Sequence, residues 1–109
     1  MKRGDFYRVR RATKLDPKDH RVYLIVSRQE LISTSFSTVI CAPVYSKYKE
    51  DITTQVEVGT QEGLKHDSAI CCDALISIPK SMLTDYVSTL LDTKMNEVNV
   101  ALCKALAIG

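Results

Sequence analysis

The sequence predicts a β-dominated α+β domain, a small barrel-like sheet covered by one C-terminal helix. Three observations predict it. Short β-branched and apolar runs alternate with turn-forming segments as far as Leu90. Apolar spacing changes from two to three and four only at the end of the chain. Finally, 109 residues with 45% apolar and 26% charged side chains suit one soluble domain, taken as 1–109, with a modest core.

The elements follow in order. Phe6-Tyr7-Arg8-Val9-Arg10 alternates and reads as a strand. Leu15 to His20, centred on Asp16-Pro17, is a polar turn-rich loop. Arg21 to Ser27 is β-branched and apolar, a buried strand, and Thr38 to Val44 is another. Pro43 has no N–H, so it is expected at a strand end or a bulge. Between them, Gln29–Ser37 is a polar connection with room for one helical turn, and Ser46–Asp51 is a charged loop. Thr54-Gln55-Val56-Glu57-Val58 alternates as a half-exposed strand does, and Gly59 and Gly63 bracket a turn. Ser68–Cys72 is a short buried strand and Tyr86–Leu90 a late one. Met95, Val98, Ala101, Leu102, Ala105 and Leu106 then mark an amphipathic helix over 94–107, with Asp92 or Thr93 as its N-cap. The apolar stripe of that helix has only the sheet to bury against.

Composition excludes several classes. No apolar run approaches the length of a membrane span. The opening Met1-Lys2-Arg3-Gly4-Asp5 lacks the apolar core of a signal peptide, so a cytoplasmic location is expected. Cysteines 41, 71, 72 and 103 form no Cys-x-x-Cys, and His20 and His66 do not fall at zinc-finger spacing. All four thiols are read as reduced, and no metal or other cofactor is expected. The net charge of +2 conceals an asymmetry: residues 1–28 carry nine Lys/Arg against three Asp, and the rest carry six against ten acidic residues. A basic N-terminal third suits an anionic partner such as RNA, or is simply a solvated basic face.

Several stretches, in order, resemble the MazF/PemK/Kid toxins. Lys2-Arg3-Gly4-Asp5-Phe6-Tyr7 is similar to the family's RGDxY/W opening, and Arg21 followed by Val22–Ser27 to its Arg-led second strand. Cys41-Ala42-Pro43-Val44-Tyr45-Ser46 resembles a strand end that carries threonine, and Thr54–Val58 the strand after it. Gly63-Leu64-Lys65-His66-Asp67-Ser68 through Asp73 resembles a GLxxDS block, and Ser77–Leu83 a tIdkxRL block. The resemblance covers essentially the whole chain. It implies an SH3-like small β-barrel with a C-terminal helix, the fold shared by CcdB and MazF toxins. It also implies a homodimer with single-stranded RNA across the interface, and a MazE-like antitoxin whose acidic segment occupies that groove. The chain departs from the family at Val22, Tyr45, Ala74 and Ile76, and in the loop over 13–20.

The implied activity is a sequence-specific, metal-independent endoribonuclease. The RNA 2′-hydroxyl attacks the adjacent phosphate and leaves 2′,3′-cyclic phosphate and 5′-hydroxyl ends. The reaction needs a proton acceptor, positive charge on the phosphorane and an acid for the leaving oxygen. The resemblance makes Arg21 the phosphate stabiliser, a role its permanently charged fork of donors suits. Tyr45 and Ser46 stand where the family uses hydroxyls; the Tyr45 ring also suits stacking on a base or covering the core edge. Asp73 matches an acidic family residue, placed to orient Arg21, to accept a proton, or to hold backbone N–H groups. His20 adjoins Arg21 and is a chemically suitable acid/base, whereas His66 reads as a turn residue. Lys14, Lys18, Lys47, Lys49 and Thr54 complete the expected RNA-binding set; the lysines are phosphate-steering charges or solvated loop residues. The alternatives are a CcdB-like gyrase poison and a degenerate toxin that binds RNA without cutting. Ala107-Ile108-Gly109 lacks the terminal aromatic expected of the poison.

Overall fold

The computed structural model describes residues 1–9 and 21–109; the loop expected over 15–20, with Lys14, Lys18 and His20, lies outside the described residues. Among the described residues seven strands form, six of them at predicted runs: β1 (Asp5–Val9), β2 (Val22–Ile25), β3 (Thr38–Tyr45), β4 (Gln55–Val58), β5 (Ser68–Cys71), β6 (Ile76–Pro79), which no run predicts, and β7 (Leu83–Thr89). A single helical turn, α1 (Gln29–Ile32), fills the polar connection after β2, and α2 (Asp92–Ala105) closes the chain. Lys80 donates from Nζ to the carbonyls of Ile32 at 3.0 Å and Thr34 at 2.8 Å, which satisfies orphan acceptors where α1 ends. Gly63 ends the turn between β4 and β5 at φ 86°, where a Cβ would stand 2.6 Å from that of Ser88, so glycine is required there.

All pairings are antiparallel, in the order β4-β5-β3-β2-β1-β7 with β6 also on β3. β3 organises the sheet. One edge pairs with β2; the other pairs first with β6 at Thr38–Cys41 and then with β5 at Val44–Tyr45. Pro43 stands inside β3 rather than at its end, at the change of partner, where its missing N–H vacates no ladder position on that side.

The structure differs from expectation in the closure of the sheet and in the bounds of β7 and α2. The barrel is open: among the described residues no ladder joins β6 to β7. β6 ends at Pro79, and the one-turn 3-10 helix Lys80–Met82 takes up the chain before β7 begins. β7 also starts at Leu83, three residues before the predicted Tyr86. The terminal helix begins at Asp92 behind Leu91, with no side-chain cap; Asp92 instead places a carboxylate in the first turn, where the helix dipole favours it. It ends before the predicted residue 107 because Ala107 turns left-handed at φ 56° and the Ile108 N–H returns to the Cys103 carbonyl at 2.8 Å.

In β1, β2 and β3, successive residues face different cores. Phe6, Leu24, Ala42, Val44, Val56, Val58 and Ile70 pack beneath α2, which contributes Val98 and Ala101. Val9, Ile25, Val39, Cys41, Ile78 and Leu83 form a second cluster, with Tyr7 and Tyr23 at its border. Cys41 and Cys72 are buried, Cys71 is half-buried and Cys103 exposed, all as free thiols. No helix among the described residues is long and apolar enough to cross a membrane.

Candidate active site

Register brings the leading candidate to its place. Tyr7 lies opposite Tyr23, and Tyr23 opposite Pro43. Two residues outward on β2 and β3, the same register sets Arg21 against Tyr45, side by side on one face. The Arg21 guanidinium carbon stands 4.6 Å from the centre of the Tyr45 ring, and both side chains are half-buried. A cation over a phenol ring gains about 0.5–1 kcal/mol when exposed and about 2 when desolvated. The contact therefore holds the guanidinium plane without using its N–H donors, which suits a group that must grip phosphate oxygens. The Arg21 carbonyl accepts from the Val9 N–H at 3.4 Å, tying this end of β2 to β1.

Tyr45 ends β3 opposite Ala69 of β5, and Ser46 follows it as an exposed residue. Lys47 and Lys49 are exposed on the loop toward β4. That loop is not a purely basic path. Tyr48 lies between them, its hydroxyl pKa raised by desolvation and then by the carboxylates of Glu57, Asp67 and Glu50. His66 is an exposed turn residue whose carbonyl accepts from Ser68 Oγ at 2.9 Å.

Asp73 and Thr54 form a second pair. Asp73 is on the 3-10 turn Cys72–Ala74, and its Oδ2 accepts from Thr54 Oγ1 at 2.6 Å. The Cys72 N–H bonds the Thr54 carbonyl at 3.1 Å, so the end of β5 and the start of β4 are locked together. The Thr54 hydroxyl, expected to meet RNA, is thus engaged within the protein. Asp73, expected near Arg21, is held by Thr54, and among the described residues no hydrogen bond or ion pair joins it to Arg21. The β3–β5 register places Asp73 four residues along from Ala69, on the order of 10 Å from the Tyr45 row. The structure therefore brings together Arg21, Tyr45 and Ser46, and separately Thr54 and Asp73.

The basic N-terminal third is partly structural. Arg3 donates from Nε to the Val26 carbonyl at 3.0 Å and from a terminal nitrogen to Asn99 Oδ1 at 2.8 Å, fastening α2 to the sheet. The buried thiols are equally remote from chemistry. Burial pushes Cys41 up to about 12, and burial, then Cys71 and Asp73, push Cys72 up to about 11, so both stay protonated at neutral pH. Sequence reasoning passed over a third group, Tyr7, Tyr23 and Tyr86. Tyr7 is opposite both of the others, so the three rings lie side by side across β7, β1 and β2. Local pattern marks each only as a strand residue; the pairing register is what assembles them.

The fold is an open, helix-covered β sheet with Arg21 clamped over Tyr45 where β2 begins and β3 ends. Residues 2–106 match the PemK-like, MazF-like toxins of type II toxin-antitoxin systems, and the chain belongs to that family. It is 31% identical to endoribonuclease EndoA of Bacillus subtilis (strain 168) over 111 aligned residues, which span 99% of this chain and 96% of that protein. Among solved structures it is similar to the Mycobacterium tuberculosis toxin MazF-mt6, with a TM-score of 0.82, 21% identity, and coverage of 96% of this chain and 98% of that one. An endoribonuclease solved with its cognate antitoxin from a mycobacterial species has a TM-score of 0.80 and 23% identity over 100% of this chain and 95% of that one. At these identities the solved structures establish the fold. The family match places the chain among the toxins of type II toxin-antitoxin systems, and its relative EndoA is an endoribonuclease.

Proposed function

We propose that this chain is the toxin of a type II pair and cuts single-stranded RNA at specific sequences without a metal ion. The observation that supports this most directly is the guanidinium of Arg21, held over Tyr45 where β2 and β3 end together. The 2′-hydroxyl gives up its proton as its oxygen bonds to the adjacent phosphorus, the bond to the 5′-oxygen breaks, that oxygen takes up a proton, and the products carry a 2′,3′-cyclic phosphate and a 5′-hydroxyl. Arg21 neutralises the phosphorane oxygens as charge accumulates there, an effect worth roughly 10²–10³ in rate for a comparable donor. Tyr45 keeps Arg21 in place, and its hydroxyl and that of Ser46 are within the same corner as proton-handling groups. Asp73, braced by Thr54, holds the far wall.

The same reading takes residues 1–109 as one domain acting in the cytoplasm. Two copies share the RNA groove, and a MazE-like antitoxin with an acidic segment silences it. The antitoxin complexes of the structural relatives support that partner. Incubating the protein with mixed-sequence RNA in EDTA tests the reading: cyclic phosphate ends are expected. RNA binding without cutting would leave the degenerate toxin as the better description, and inhibition of DNA supercoiling without RNA cleavage would favour the gyrase poison.

A further inference from the structure

Tyr86 is unusual among the exposed large side chains. It is 57% exposed, yet its ring is held at two places. Its hydroxyl lies 2.6 Å from Thr89 Oγ1, and Thr89 Oγ1 donates to Asp5 Oδ1 at 2.7 Å. The single Thr89 proton is committed to Asp5, so the Tyr86 hydroxyl must donate to Thr89. Asp5 is 2% exposed, and its other oxygen accepts the Lys2 N–H at 2.8 Å. The tether thus runs from an exposed ring into a buried carboxylate. The ring also meets Tyr7 edge-to-face, with centroids 5.7 Å apart and planes at 74°. An exposed aromatic fixed in this way loses little conformational freedom when a flat partner settles on it.

Its place in the sheet indicates which partner. Tyr86 is directly opposite Tyr7, and Tyr7 directly opposite Tyr23, so these rings share a face. Tyr23 is two residues from Arg21 and therefore on the same side of β2. From Tyr86 to Tyr45 is three strand spacings, about 15 Å, a length that a few nucleotides of extended single strand span. We propose that the Tyr86 ring, braced by Tyr7, is a stacking platform for a nucleobase of the same RNA strand whose scissile phosphate lies at Arg21. The platform rests on the ribonuclease reading above. It takes any base, because stacking uses the π-face common to all four, and so contributes affinity rather than sequence choice.

The test compares wild type, Tyr86→Leu and Tyr86→Phe. Each is titrated with non-cleavable, mixed-sequence 2′-O-methyl oligonucleotides of about four and about twelve residues, alongside thermal melting and sedimentation. Tyr86→Leu is expected to weaken the longer oligonucleotide on the order of tenfold and the shorter by less than about twofold, with melting and oligomeric state unchanged. Tyr86→Phe keeps the ring and is expected to stay near wild type. Three results overturn the platform: wild-type affinity in Tyr86→Leu, an equal loss in Tyr86→Phe, or a changed oligomeric state in Tyr86→Leu, which would make this face a contact between copies. If wild type neither cuts RNA in EDTA nor binds either oligonucleotide, the ribonuclease reading falls and the platform with it. If wild type cuts RNA while Tyr86→Leu binds as well as wild type, only the platform falls.

Discussion

Neighbouring residues of the same strands serve two different regions. Phe6, Leu24 and Val44 point into the core beneath α2; Tyr7, Tyr23 and Tyr45 are their immediate neighbours in sequence. The α2 side is sealed, with Phe6, Leu24, Ile70 and Val98 fully buried. The other side closes over a smaller cluster that includes Ile25, Val39, Cys41 and Leu83 and then opens onto tyrosines and the clamped Arg21. A two-residue period thus divides stability from recognition within each strand. Substitutions one position apart should have separable consequences.

Phe6→Ala gives the largest effect. Truncating this fully buried ring should cost about 3–5 kcal/mol, a large share of the stability of a domain this size. Urea denaturation should show the lost midpoint, and a small change would mean that the α2 core tolerates collapse at this site. Arg21→Ala is next and acts only on the other region. Cleavage should fall roughly 10²–10³-fold while thermal melting stays close to wild type. A variant that melts early instead would show that the stack on Tyr45 serves the fold. Asp5→Ala lies between the two regions. It strands the Thr89 hydroxyl and the Lys2 N–H and should cost about 1–3 kcal/mol, while RNA binding stays near wild type because the Tyr86 ring and its brace on Tyr7 remain. Thr54→Val removes a surface hydrogen bond to Asp73 and should cost about 1 kcal/mol or less, with rate changes of only a few-fold.

What the sequence made legible divides along the same line. Alternation in Thr54–Val58 and the three-and-four spacing after Met95 are local signals, and both elements formed within two or three residues of prediction. β6 carries no such signal: four residues ending in proline are held by the distant Thr38–Cys41 edge of β3. Arg21 stands out because a charged residue leads a buried strand. Its partner Tyr45 does not, since the match depends on how β2 and β3 slide against each other. The resemblance sets Asp73 beside Arg21, whereas the antiparallel pairing of β4 with β5, with Gln55 opposite Cys71, brings Thr54 to it first. Tyr86 was invisible for the same reason as β6, because the pairing of β7 with β1 is long-range and interrupted by two irregularities, between Phe6 and Tyr7 and between Arg8 and Val9.

The smallest effect at neutral pH, and the finest test of the two cores, comes from their thiols. Cys41 lies in the cluster beside the tyrosines, Cys72 in the one beneath α2. Burial raises Cys41 from 9.0 to about 12, and burial with Cys71 and Asp73 raises Cys72 from 9.0 to about 11. Each raised value means that the unfolded chain releases the thiol proton before the folded one does. The stability linked to these thiols is therefore complete below pH 9, declines as pH passes through 9, and is spent near 11 for Cys72 and near 12 for Cys41. Below pH 9 iodoacetamide should modify Cys103 first and Cys71 next, leaving Cys41 and Cys72 protected. Cys41→Val should match wild type at neutral pH and lose less stability across the alkaline range. Parallel decline of the two proteins from pH 9 to 12 would assign the alkaline loss to groups other than Cys41, leaving burial of that thiol without a measurable thermodynamic consequence.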